Sequence, residues 1–326
     1  MLRKATGKGV VHMARYYHHE TVRVRNADDD VRNNVQKGLD ITKATNYRED
    51  RLRILPSTST VGLSRTGQSS SIVGAKRSSD QTSAPLPPSK RPCSISPTKA
   101  SSDVLLNRVY RCVILSNYRI PIYEASSREA LLTALADYIK GYKSLQQKAG
   151  LLYQDISIGN LMVGKDNRGF LIDLDLAIKE QHISASGAKG KTSIRAFIAI
   201  RALLSKQHSF IHDLELFFWV LFWICIHCNS PGEGKVVAQF DKWNYADTGE
   251  LAKLKLGTVS DEDIFRKTTE EFFTEYYRPL VPWVIRLRKA VFPGGGRWKR
   301  EDSGLYTRMR GILEEACKGL AERPEP

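Results

Sequence analysis

Between residues 151 and 177 the chain reads LLYQDISIGNLMVGKDNRGFLIDLDLA. Asp155 is followed five residues later by Asn160, and Asp173 ends the apolar run GFLID. Phosphoryl transfer asks a protein for one carboxylate that orients a hydroxyl and accepts its proton, and for oxygen ligands that hold Mg²⁺ on the phosphates. Mg²⁺ takes one or two protein oxygens and leaves its other positions to phosphate and water. On this spacing Asp155 is the base, and Asn160 and Asp173 are the metal ligands. A lone D-x-x-x-x-N is a weak signal; a hairpin that delivers a second Asp strengthens it.

The elements around these residues must bring them together. LMV and GFLIDL flank the turn GKDNRG, a strand–turn–strand pattern. The spacing predicts a hairpin over Leu161–Leu174 whose return lays Asp173 beside Asn160, with Asp155 and Asn160 on one loop. VLLNRVYRCVILS reads as strand. SREALLTALADYIKGYKSLQQKAG reads as one or two helices, with Leu131, Leu132, Leu135 and Ile139 at helical spacing. In LELFFWVLFWICIHC the uninterrupted apolar stretch runs from Leu216 to Ile226, 11 residues. That is short of the ~20 needed to cross a bilayer. Asp213 and Glu215 precede it and His227 follows, so it reads as a buried core helix. DEDIFRKTTEEFFTEYYRPLVPWVIRLRKAV and SGLYTRMRGILEEACKGL add further helices. A few strands followed mostly by helices is an α+β order.

The 326 residues carry a formal charge of +15, and residues 1–100 hold 18 Lys/Arg against 8 Asp/Glu. The basicity therefore belongs mainly to a tail or linker. Within residues 1–54, KGVVHMARYYHHETVRV suggests a strand or two, and DDDVRNNVQKGLDI has weak helical character. Residues 55–103 are dominated by Ser, Thr, Pro and basic residues without an aromatic, too little apolar surface to offset the entropy of folding. They read as a disordered insertion. Its basic pairs Lys76-Arg77 and Lys90-Arg91 have the spacing of a bipartite nuclear import signal, and Ser96-Pro97-Thr98-Lys99 that of a proline-directed phosphorylation site. The missing aromatics argue against single-strand nucleic-acid binding. Five cysteines form no regular framework and the N-terminus lacks an apolar leader, which points to an intracellular, nuclear or cytoplasmic setting and away from membranes. Cys225 and Cys228 form a C-x-x-C inside the apolar run, where burial is the ordinary role.

Three segments together carry a resemblance. YQDISIGNLMV stands in place of a catalytic loop, GFLIDLDLA in place of a DFG segment, and HDLELFFWVLFWICIHC in place of a central buried helix. The span from about 104 to 228 resembles the protein kinase C-lobe and, within that superfamily, the fungal-type protein kinase group. The resemblance implies a protein kinase-like α+β fold, with a mainly helical C-lobe over 104–320 and a truncated β-rich N-lobe remnant over 1–54. It implies Mg²⁺ and ATP as cofactors if the chain is active, and Asp213 as the residue that supports the catalytic loop through backbone hydrogen bonds.

Four departures accompany it. No Gly-rich loop, strand Lys or pairing helix Glu is found, so the ATP-binding residues are unassigned and the sequence reads as if it begins after the helix that carries that Glu. Tyr153 and Gln154 replace His and Arg, the latter a usual receiver for an activation-loop phosphate at positions such as Ser184, Ser186, Thr192 or Ser193. Asp175 sits where DFG has Gly, and Arg201 falls about where the APE motif has Glu. The expected function is ATP-dependent phosphoryl transfer to a protein Ser/Thr hydroxyl by ancestry, weak or absent in this chain alone. The alternatives are a non-catalytic pseudokinase that acts as an interaction module, and a small-molecule phosphotransferase. The partner is then a protein substrate or binding protein, with an import receptor at Lys76, Arg77, Lys90 and Arg91.

Overall fold

A long apolar run can be satisfied only by elements packed on every side of it, and the run beginning at Phe210 organises the fold accordingly. The computed structural model describes residues 1–30, 109–115, 120–180, 195–204, 207–296 and 301–322. The polar stretch after Asp30, the Ser/Pro-rich insertion with its two basic pairs, and the candidate phosphosites between 181 and 194 lie outside these residues.

In chain order the elements are α1 (Leu2–Gly7), β1 (Tyr16–Thr21), β2 (Arg23–Val24), β3 (Ala27–Asp28), β4 (Arg111–Leu115), β5 (Ile120–Pro121) and α2 (Arg128–Ser144). Next come β6 (Leu151–Leu152), β7 (Leu161–Val163), β8 (Gly169–Leu171), β9 (Ile178–Lys179), α3 (Ile200–Leu203) and α4 (Phe210–His227). The rest are β10 (Cys228–Ser230), β11 (Glu233–Gly234), α5 (Ala238–Asp241), α6 (Thr248–Val259), α7 (Glu262–Phe272), α8 (Val281–Val291) and α9 (Leu305–Ala321). Helices and small antiparallel sheets thus make an α+β arrangement. Met1–Asp28 and Tyr110–Pro326 form one unit, and Asp29–Val109 a second, in which Asp30 and Val109 make an antiparallel bridge.

The apolar run is α4. It starts at Ser209, whose N–H donates to His212 Nδ1 at 2.7 Å, and it stops where Cys228 turns to extended backbone at φ −123°. The whole helix is 18 residues, longer than its 11-residue uninterrupted apolar stretch, and by length and composition it could cross a membrane, yet 94% of it is buried by its own fold. Phe217, Phe218, Trp219, Phe222 and Ile226 are each at most 1% exposed. Burying such a side chain contributes about 1.5–3 kcal/mol, so this helix is the largest single contributor to the core.

α2 is the platform for the site. Ser127 caps it by accepting from Ala130 N at 3.1 Å, and α9 packs along it. Two glycine contacts let backbone approach it closely. A Cβ on Gly169 would lie 2.4 Å from Ala134 O, and one on Gly141 would lie 2.8 Å from His12 O. The hairpin β7–β8 and the segment His12–Ala14 therefore both press on α2. That segment also joins the hairpin, with Ala14 N donating to Leu171 O at 2.8 Å and Leu171 N to His12 O at 3.0 Å. Of the N-terminal strands expected, β1 pairs with β4 from Tyr16↔Leu115 to Thr21↔Arg111, and the sequence reading missed α1.

Candidate active site

The hairpin forms within the predicted residues, with Leu161 opposite Leu171 and Val163 opposite Gly169, but its return strand ends at Leu171, two residues before Asp173. Its tip is fixed by Asp137 of α2. The Arg168 Nε lies 2.7 Å from Asp137 Oδ2, and Gly169 N donates to the same oxygen at 3.2 Å. His12 Nε2 lies 3.4 Å from the other oxygen, and burial holds its imidazole below its ordinary pKa against the pull of Asp137.

The residue after the return strand reaches the segment that carries Asp155, where Ile172 N donates to Asn160 O at 3.1 Å. Asp173 is the next residue, exposed and in the left-handed region at φ 59°. Asp tolerates that conformation better than most residues because its short carboxylate can bond locally. Here Asp173 Oδ1 accepts from Asp175 N at 2.8 Å. Asp175 itself is not at positive φ, so an Asp there costs none of the freedom that Gly supplies. The departure at Asp175 is therefore sterically neutral.

Asp155 and Asn160 are half-buried and bonded to each other. Asn160 Nδ2 donates to Asp155 O at 2.9 Å and to Asp155 Oδ2 at 3.0 Å. This turns the amide nitrogen inward and leaves the amide oxygen, the one cation-binding atom of that side chain, outside the pair. Asp155, Asn160 and Asp173 thus sit on two segments joined by one backbone hydrogen bond. Their oxygen donors are of the hard type that Mg²⁺ prefers, and the inward turn of the Asn160 nitrogen fits a ligand role for its oxygen.

Asp213 lies beneath the loop with 0% exposure. Its Oδ2 accepts from Tyr153 N at 2.9 Å, its Oδ1 from Gln154 N at 3.1 Å, and His208 Nε2 lies 2.7 Å from Oδ1. Gln154 is at φ 68°, a strained conformation for this residue that the Asp213 bond holds in place. Tyr153 is fully buried, and its hydroxyl donates to Ile172 O. Burial, then the charges of Asp173, Asp155 and Asp213, push its phenol well above the ordinary value, so it stays protonated as the donor. Tyr153 therefore ties the Asp213 carboxylate, the loop and the residue before Asp173 into one unit.

Sequence reasoning missed the roles of one residue of this cluster and of two outside it. His208 supports Asp213 from five residues upstream, a spacing that carries no catalytic signature. Glu215 and Lys255 hold the backbone just before Arg201. Arg201 stands in α3, and Glu215 Oε1 accepts from Ile200 N at 2.7 Å. A cavity of about 330 Å³ lined by Ser260, Asp261, Glu262, Arg288 and Lys289 shares no residue with this cluster.

A family model described as fungal protein kinase matches residues 1–225 of the chain's 326. The match takes in every residue of the cluster around Asp155 and ends within α4. No curated protein matches the chain.

Proposed function

Since the chain belongs to the fungal protein kinase family, we propose that it is a kinase-like domain arranged for ATP-dependent phosphoryl transfer to a protein Ser/Thr hydroxyl, with weak or no turnover by these 326 residues alone. The observation that supports this most is the Asp155–Asn160 pair linked to Asp173 through the Ile172–Asn160 hydrogen bond. Asp155 would accept the proton of the acceptor hydroxyl, and Asn160 and Asp173 would hold Mg²⁺. Bound Mg²⁺ would neutralise charge on the phosphates. Asp213, Tyr153 and His208 keep the loop in the shape that presents Asp155.

Weak turnover follows from what grips the α- and β-phosphates. No Gly-rich loop, strand Lys or pairing Glu is found in the sequence, and that positive charge is a main electrostatic component of the chemistry. An intact kinase turns over at about 1–100 per second. The same absence favours a second reading, a pseudokinase that binds a protein partner without catalysis.

The thermal midpoint with Mg²⁺ and ATP separates the two. A ligand specific for the folded state at a hundredfold excess over Kd adds about 2.7 kcal/mol, roughly 5–10 °C for a chain of this size. A rise that needs Mg²⁺ and is lost in Asp173→Ala is the expected result. No rise at millimolar ATP refutes nucleotide binding by this chain and leaves the interaction module.

A further inference from the structure

Two opposite charges lie buried outside the cluster around Asp155. Glu215 of α4 is 5% exposed and Lys255 of α6 is 0% exposed. They form no direct ion pair; each spends its charge on the same short stretch of backbone. Glu215 Oε1 accepts from Ile200 N at 2.7 Å and from Trp219 Nε1 at 2.9 Å. Lys255 Nζ donates to Ile198 O at 2.7 Å and sits 4.4 Å from the centre of the Trp219 ring and 5.6 Å from that of Trp243. A carbonyl and an N–H two residues apart are thus each held by a formally charged side chain from a different helix.

This arrangement is expensive. Burial lowers the Lys255 ammonium to about 7 and raises the Glu215 carboxyl, with Lys255 and Arg201 the cations that face Glu215. Apolar residues of similar size would serve stability as well or better, because desolvating two charges commonly outweighs their attraction. Directed hydrogen bonds to one backbone stretch are what apolar residues cannot supply. Among the described residues the backbone bonds of this stretch are otherwise local, Ile198 N donating to Arg195 O at 3.1 Å and Leu203 N to Ala199 O at 3.0 Å. It is a turn from Arg195 to Phe197 followed by the four residues of α3. It also lies between the Asp173 segment and α4, where the sequence puts Arg201 in place of a tethering Glu.

We propose that Glu215 and Lys255 are a two-point clamp, positioning residues that fix the backbone of Ile198–Ile200. The clamp does not depend on the reading of the site given above.

Amide hydrogen exchange on the full chain tests it, comparing the Ile200 amide and its neighbours over 195–204 with the α4 amides over 214–224. Lys255→Met and Glu215→Ala are each expected to speed exchange over 195–204 by about tenfold or more, with α4 unchanged. Glu215→Gln keeps an acceptor for Ile200 N and Trp219 Nε1, so its exchange at Ile200 should stay within about twofold of wild type. Equal acceleration in both regions, no acceleration in either, or loss of Ile200 protection in Glu215→Gln overturns the clamp. Should the two truncating variants fail to fold, Glu215→Asp, which withdraws the acceptor by one methylene, is expected to speed exchange at Ile200 with α4 unchanged, and no acceleration there overturns the clamp. The readout needs no turnover, so it fails or succeeds separately from the Mg²⁺·ATP midpoint, which reports on the site.

Discussion

Asp213→Asn is the substitution for which the structure gives the sharpest expectation. The carboxylate is 0% exposed and accepts from two consecutive backbone amides, at 2.9 and 3.1 Å, with His208 Nε2 at 2.7 Å. Asparagine has the same shape, but one oxygen becomes an NH₂ that faces a donor. At least one bond is lost, and hydrogen bonds to a charged group contribute about 1.5–3 kcal/mol each. For a chain of this size 1 kcal/mol corresponds to roughly 2–4 °C in midpoint, so the expected fall is roughly 3–12 °C. A second effect is local. The Gln154 bond holds a backbone at φ 68° immediately before Asp155. Releasing it lets Gln154 relax toward negative φ and carries Asp155 with it. Circular-dichroism melts with and without Mg²⁺·ATP measure both effects, and any nucleotide-dependent rise should shrink further in the variant. A midpoint within about 1 °C of wild type would refute the argument, since a buried carboxylate with these partners cannot be lost at no cost.

Beyond the Mg²⁺·ATP melt and the exchange test of the clamp, two outcomes follow from packing. Gly141→Ala places a Cβ 2.8 Å from His12 O and 2.9 Å from His12 Cβ, so it should cost about 1–3 kcal/mol in thermal or denaturant unfolding. Gly311→Ala, in α9 with nothing within 4 Å, should instead stabilise by about 0.5–1 kcal/mol as the matched control. Among the thiols, burial pushes Cys225 well up and Cys228 to about 11. At pH 8 the Cys228 thiolate is then roughly one part in a thousand, so iodoacetamide followed by peptide mapping should label exposed Cys112 and spare both until the chain is unfolded.

What the sequence made legible was local. The hairpin, the helical spacing of α2 and the apolar α4 each follow from a periodicity or turn signal within a few residues of the element itself. The Asp155–Asn160 pair sits on one loop, five residues apart. The illegible parts depend on contacts across long separations. α6 reads TGELAKLKLGTV, in which Lys253 and Lys255 look alike, yet Lys253 is exposed and Lys255 is at 0%. Only the packing of α6 beside two tryptophans distinguishes them. Likewise nothing near Tyr153 announces that its hydroxyl will reach Ile172, 19 residues on. A short helix such as α1 carries too few turns for its periodicity to be read.

The substitutions at Tyr153 and Gln154 separate two things that a His-Arg pair would combine. One is geometry, because the loop is tied both to the floor beneath it and to the segment after β8 that carries Asp173. Tyr153 does this with its backbone N–H to Asp213 and its hydroxyl to Ile172 O, and the Gln154 amide needs no particular side chain to bond Asp213. The other is a cation that receives a phosphate from the neighbouring segment, which Gln154 cannot provide. The loop's shape is therefore independent of that route of control: its fixed points are a buried carboxylate, a buried phenol and backbone groups, none of which a phosphate must switch into place. On the proposed function, what limits such a site is the grip on the phosphates, so nucleotide affinity carries more information about this chain than its phosphorylation state does.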